Sequence, residues 1–303
     1  MKNFFYLGLV FLLSFCQIKE SADQQKADVE QFSFAFLTDI HLQPELDATE
    51  GFQRAINSVN ELKPDFVITG GDLIMDALGV SYNRAASLYD LYLETIGNFK
   101  MPVYNTLGNH EIYGLYENSH SDTTNEEYGK KMYEKRIGNR YYSFDHEEWH
   151  FMILDAVGIS SGREYKGYID DEQITWIKSD LANIDKQTPI VISVHIPFIT
   201  SRTQLTQGSQ ASNGDGTVIT NATDVLKLFL PYNLKLVLQG HLHFLEDIYV
   251  DNKVHFITGG AVSGRWWKGP PSENVAEGFL LIRAQDNKIE WEYIDYGWEA
   301  VQE

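Results

Sequence analysis

Short apolar runs in this chain keep ending on the same kinds of polar residue. Phe32 to Thr38 leads into Asp39-Ile40-His41, Asp65 to Thr69 into Gly70-Gly71-Asp72, and Pro102 to Leu107 into Gly108-Asn109-His110-Glu111. Ile190 to Val194 leads into His195, and Leu234 to Leu238 into Gly240-His241-Leu242-His243. Each run has the length and composition of a buried strand. Two stretches of helical spacing separate the first three runs. Glu50 to Lys63 carries Phe52, Ile56, Val59 and Leu62 on one face and is stopped by Pro64; Tyr82 to Phe99 carries Leu88, Leu91, Tyr92, Thr95 and Ile96. Strand–helix–strand–helix–strand calls for parallel pairing with covered faces. The polar residues then sit at the carboxyl ends of strands, where open α/β sheets gather their ligands.

The rest of the chain is less regular. Ile112 to Arg140 reads as an insertion beside that end, with helix over about Glu126 to Arg136. Tyr141 to Phe144 and Trp149 to Leu154 form a hairpin turning through Asp145-His146-Glu147-Glu148. Asp170 to Ile184 is helical with Asp170 as N-cap. Ile196 to Val218 is a long polar loop next to a strand end, a place where function gathers. Thr220 to Leu230 is a short helix, and the remainder to Tyr296 reads as a second, mostly antiparallel sheet. With 303 residues, 43% of them hydrophobic, and no internal repeat, residues 31–303 read as one domain around a large core.

The N-terminus has its own chemistry. Lys2 followed by the apolar run Phe4 to Phe15 is a signal segment too short to span a bilayer. Cys16, the only cysteine, ends that run after Leu13-Ser14-Phe15, which resembles a bacterial lipoprotein box, although Phe15 stands where a small residue is usual. Residues 1–16 are therefore read as a signal peptide with Cys16 lipidated, and residues 17–30 as a tether. The expected location is exported and membrane-anchored through that lipid alone, facing the periplasm or cell surface; without lipidation it is periplasmic or secreted. One cysteine makes no internal disulfide, so the core alone must hold the fold. The balance of 24 basic and 43 acidic residues, net −19, argues against a nucleic-acid duplex as partner. It does not exclude a small anionic substrate, because bound cations can dominate the local field.

Asp, Asn and His together suit manganese, iron or zinc better than a soft thiolate metal. Two such ions could polarise a phosphoryl oxygen and supply hydroxide at neutral pH, and a free imidazole nearby could protonate the leaving alkoxide. At this point the set Asp39-x-His41, Gly71-Asp72, Gly108-Asn109-His110-Glu111, His195 and Gly240-His241-x-His243 resembles the calcineurin-like metallophosphoesterases, with the motif blocks in family order over residues 33 to 260. The resemblance implies two mixed β-sheets packed as a sandwich and flanked by helices. It implies that Asp39, His41 and His243 hold one metal, that Asn109, His195 and His241 hold another, and that Asp72 bridges them. His110 would be the general acid and a metal-bridging hydroxide the nucleophile. The family's purple, redox-active branch places a tyrosine just after its Gly-Asp block; here Leu73-Ile74-Met75 follow, so the single-domain phosphodiesterase branch is the nearer match.

Several residues stand at the edge of this reading. Glu111 either orients a ligand or His110 from behind, or is a plain loop carboxylate. In Gly259 to Lys268, Arg265 could bind a phosphate oxygen and Trp266 could stack on a substrate, or the stretch is a turn with two core tryptophans. Tyr113 and Tyr116 could line the cleft. His120, His146, His150 and His255 read as surface or packing residues. The expected function is hydrolysis of a small phosphodiester, cyclic nucleotides among them, with a scavenging phosphomonoesterase as the alternative. A non-catalytic surface ligand-binding protein, a nuclease and a protein phosphatase are the rivals from further away.

Overall fold

A computed structural model of the chain describes Met1 and residues 31–300; Cys16, the signal segment around it and the tether lie outside the described residues. The elements run β1 (Phe32–Leu37), α1 (Ala48–Leu62), β2 (Phe66–Thr69), α2 (Tyr82–Ile96), β3 (Val103–Asn105), α3 (Lys131–Arg136), β4 (Tyr142–His146) and β5 (Trp149–Leu154). They continue with β6 (Val157–Ile159), β7 (Tyr165–Gly167), α4 (Asp171–Leu181), β8 (Pro189–Val194), α5 (Arg202–Gln207), α6 (Ala222–Phe229) and β9 (Asn233–Gln239). β10 (Leu245–Val250), β11 (Val254–Gly259), β12 (Gly278–Gln285) and β13 (Lys288–Asp295) complete the chain.

One sheet has the order β13-β12-β1-β2-β3 and the other β10-β11-β9-β8-β5-β4. β1, β2 and β3 pair in parallel, as do β5, β8, β9 and β11, while the outer strands are antiparallel. The alternation of side chains along β1 divides its residues between two cores. Phe34 and Phe36 face the second sheet, where Phe34 stacks on Phe66 at 5.1 Å and meets Phe151 edge-on at 5.5 Å. Ala35 and Leu37 face outward to Phe52, Ile56 and Val59 of α1 and to Leu88 and Tyr92 of α2. On the far side, Ile177 and Leu181 of α4 and Val225 and Phe229 of α6 cover Met152, Ile192 and Val194. The result is the expected sandwich of two mixed sheets with helices outside.

Three local expectations are corrected. The C-terminal strands do not form a sheet of their own. β12 pairs with β1 (Phe32↔Ala284) and β11 with β9 (Phe256↔Val237), because each buried central strand has an edge whose backbone groups need partners. The helix expected over Glu126–Arg136 is only Lys131–Arg136, since Asp122 and Asn125 bond the N–H groups of Thr124 and Glu127 and hold turns instead. A hairpin, β6–β7, stands where no strand was foreseen. Asp170 does cap α4, accepting the N–H of Gln173 at 2.8 Å.

Candidate metal centre

The carboxyl ends of β1, β2, β3, β8 and β9 meet at one end of the sandwich. Thr106 and Ser193 join the sheets there by a 2.8 Å hydroxyl contact, and the Gly240 N–H donates to His195 O at 2.9 Å. The loops that follow bring the expected donors together. Asp39, His41 and His243 form one group, and Asp72, His195 and His241 another, each with ligand atoms within 4.8 Å of one another. Asp72 also groups with His41 and His110, so it faces both sets. Its Oδ1 lies 3.1 Å from His195 Nε2 and its Oδ2 3.7 Å from His41 Nε2. Asn109 joins at His195, with its Oδ1 3.2 Å from Nε2.

Holding the donors in place costs backbone strain. Asp39, His41, Asp72, His241 and His243 all adopt left-handed φ, between 46° and 72°, each unfavourable by about 1–2 kcal/mol for a residue with a Cβ. Surrounding bonds over-determine them. His41 N–H donates to Asp72 O at 2.8 Å, and His241 N–H donates to both Asp39 carboxylate oxygens at 3.0 Å. Gly108 must be glycine, because a Cβ there would lie 2.2 Å from Asp72 N and 2.3 Å from its Oδ1.

Backbone carbonyls, which only accept, fix most of the imidazoles. His195 Nδ1 donates to Gly70 O at 2.8 Å, while His243 Nδ1 donates to Gly264 O and His110 Nδ1 to Met75 O. In the neutral ring each Nε2 is then the nitrogen that carries the lone pair, and it is turned inward. His241 is reversed: Nε2 donates to Gly216 O at 2.8 Å and leaves Nδ1 free. This is how metal-ligating histidines are held.

The donor set fits a pair of cations. Asp39 and Asp72 are buried, and among the described residues their ion-pair partners are only histidines, with no lysine or arginine. His41 Nε2 and His243 Nε2 face each other at 3.0 Å. A cation that accepts those lone pairs also supplies the charge that buried carboxylates need. Burial, with His110 alongside, holds His41 well below its ordinary range, and burial with His195 alongside lowers His241 to about 3, so both are in the neutral, ligating form. For His195, burial is outweighed by the Asp72 carboxylate and the value rises to about 9. That proton is one a bound cation would displace.

Of the remaining expected residues, Glu111 is the best placed. It is fully buried and accepts the N–H groups of Asp72, Leu73, Ile74 and Gly108 at 2.7–3.2 Å, which ties the loop carrying Asp72 to the one after β3. Trp266, 41% exposed, puts its ring 4.7 Å from that of His243. Arg265 instead lines a separate cavity of about 650 Å³ with Lys268, Glu273 and Glu277, which none of the donors borders. Tyr113 is corrected outright: it is 3% exposed and packs edge-on against Tyr82 within the core, because the chain turns inward after Glu111. His150 is a packing residue held between Asp145 and Asp180, and His146 packs on Phe32 and Phe66.

Residues that the sequence did not single out complete the frame. Trp267 donates its indole N–H to Ile40 O at 3.0 Å and His41 O at 3.1 Å, and Ser263 Oγ donates to Asp39 O at 2.7 Å. Thr38 Oγ1 donates to Asp39 Oδ2 at 2.7 Å. Trp267 lay in a stretch already marked by its glycines; Gly216, the acceptor for His241, carries no signal in a polar loop.

The calcineurin-like phosphoesterase model matches residues 32–245. The chain belongs to that family. Among curated relatives, purple acid phosphatase 22 of Arabidopsis thaliana is 23% identical over 227 residues, covering 71% of this chain and 48% of the relative. Purple acid phosphatase 15 of the same plant is 30% identical over 151 residues, 48% of this chain and 25% of the relative. The chain thus spans about half or less of those proteins' length. A dimetal phosphatase from Danio rerio shares the fold with a TM-score of 0.61 at 15% identity, covering 88% of this chain and 96% of that one.

Proposed function

We propose that the chain is a dinuclear metal-dependent hydrolase of small phosphoesters, acting on a diester. What carries this reading is the placement of Asp72 between two donor groups, with His110 beside them and outside either expected ligand set. Asp39, His41 and His243 would hold one ion, Asn109, His195 and His241 the other, and Asp72 would touch both; manganese, iron and zinc all suit these donors. Bound there, the ions supply Lewis acidity and a nucleophile at neutral pH.

The chain's own residues do the remainder. His110 Nδ1 is tied to Met75 O, so its Nε2, 3.8 Å from Asp72 Oδ2 and only partly buried, would stand beside the leaving oxygen of an ester bound at the two ions. Protonated, that nitrogen can donate to the departing alkoxide. Trp266, beside His243, offers a face for the substrate to pack on.

A second reading, a phosphomonoesterase, is supported by the names of the curated relatives, both purple acid phosphatases. Positions 73–75 are Leu, Ile and Met, with Leu73 and Ile74 fully buried, so no phenol follows the Gly-Asp block as in that coloured branch. Hydrolysis of p-nitrophenyl phosphate against bis-p-nitrophenyl phosphate, by protein loaded with manganese, iron or zinc, separates the two. Faster turnover of the diester supports the first reading and faster turnover of the monoester the second. Full metal occupancy without turnover of either would leave a ligand-binding protein.

A further inference from the structure

Beside the metal centre lies a cavity of about 530 Å³ that shares a wall with it. The Gly216 carbonyl that fixes His241 lines it, and so does Tyr165, whose ring meets that of His241 edge-on at 5.8 Å. Tyr116, Glu117, Arg163 and Glu164 supply the rest of the wall that matters here. The one cation among them is already engaged. Arg163 Nε donates to Leu115 O at 2.9 Å and Nη2 to Gly114 O at 2.7 Å and Tyr116 O at 3.3 Å. Its guanidinium pins the 114–116 loop rather than offering a fork to a ligand anion. Glu117 and Glu164 are in the opposite state: among the described residues neither carboxylate forms an ion pair or accepts a hydrogen bond.

The cavity therefore presents two phenol rings and two carboxylates against the single charge of Arg163, whose Nε and Nη2 are bonded to backbone carbonyls, a net negative wall next to donors that would hold cations around a phosphate. Such a wall repels a second phosphate or carboxylate on the substrate. It attracts a positive group, through the carboxylates at longer range and the ring faces at contact.

Building on the reading of the donors as a phosphoester centre, we propose that this cavity takes an alkylammonium group carried on the alcohol side of the ester. The substrate class is then the phosphoesters of amino alcohols. The β6–β7 hairpin, which supplies Tyr165, and the loop carrying Tyr116 and Glu117 are the specificity elements.

The test compares two diesters of one shape and different charge: p-nitrophenyl phosphorylcholine and p-nitrophenyl 3,3-dimethylbutyl phosphate, in which carbon replaces nitrogen. The metal-loaded full chain should favour the choline ester by about tenfold in kcat/KM, mostly through KM, as expected for cation–π and charge attraction at a partly exposed site. The ratio should fall toward one in the Glu117→Gln, Glu164→Gln double variant and fall in Tyr165→Leu. Equal turnover of the two esters by wild type overturns the proposal, as does a preference that survives in the double variant. Calorimetric titration of choline itself reads the cavity without turnover. Saturable binding that the double variant lacks, with neither ester hydrolysed, keeps the cation site and removes the phosphoesterase reading. No binding of choline overturns the site.

Discussion

The Glu111 carboxylate sits directly behind Asp72. Its Oε2 accepts the Asp72 N–H at 3.1 Å and the Gly108 N–H at 2.7 Å, while its Oε1 takes Leu73 and Ile74 at 2.7 and 3.2 Å. One acidic side chain thereby joins the loops after β2 and β3 and helps to hold Asp72 at its left-handed φ of 51°. Glu111→Gln would turn an amide N–H toward backbone donors and leave buried N–H groups unpaired. The expected outcome is a loss of about 1–3 kcal/mol in the metal-free protein and a 10–100-fold weaker metal affinity. Denaturant melts and metal titrations check this; if neither moves, Glu111 is not a brace.

Asp72→Asn should lose metal occupancy and turnover together. The amide keeps the shape but removes the charge that both donor groups share. Metal content by elemental analysis, read beside activity, decides: a variant with two ions bound and full rate would discard the bridging assignment.

His110→Ala should behave differently. Its Nε2 stays 3.8 Å from Asp72 Oδ2, and the seven expected donors are complete without it. Metal content should be retained while the rate on an ester with a poor leaving group falls by about 10²–10⁴-fold, the usual share of general-acid catalysis. The loss should shrink for p-nitrophenol, which leaves without a proton. An equal loss for both leaving groups would argue against proton donation.

His150 offers a pH test away from the metals. Burial alone would lower it from 6.5, but the Asp180 and Asp145 carboxylates outweigh burial and raise it. A raised folded value means the stabilisation is fully present below the unfolded value of 6.5 and is lost as pH climbs through the folded value. The stability difference between wild type and His150→Gln should therefore shrink as pH rises above that point. Urea melts across the range measure it; a difference that grows with pH reverses the sign and refutes the ion pair.

We infer from Leu13-Ser14-Phe15-Cys16 that the chain is exported and lipidated at Cys16. Cys16→Ser should move the protein from the membrane fraction to the soluble fraction of the envelope. Membrane retention in the variant would point to some other attachment.

The donor residues were legible because each is a local event. An apolar run followed at once by Asp-x-His, Gly-Gly-Asp, Gly-Asn-His-Glu or Gly-His-x-His needs only neighbouring residues to be recognised. Parallel pairing followed from the helices between the runs. What local patterns could not supply was pairing across long separations. That β12 and β13 return to β1, and that β11 completes the sheet of β9, is decided by which buried edges remain unpaired once the rest has folded.

The same division runs through the site. The sequence by itself determined which side chains could bind metal, because ligand chemistry belongs to the residue. Only the tertiary structure decided that Tyr113 is core, that Arg265 faces another cavity, that Trp267 ties down the Asp39–His41 loop, and that Tyr165 and Gly216 wall the space beside His241. Those facts are directions and distances between residues far apart in the chain, and they exist only after two sheets have closed on each other.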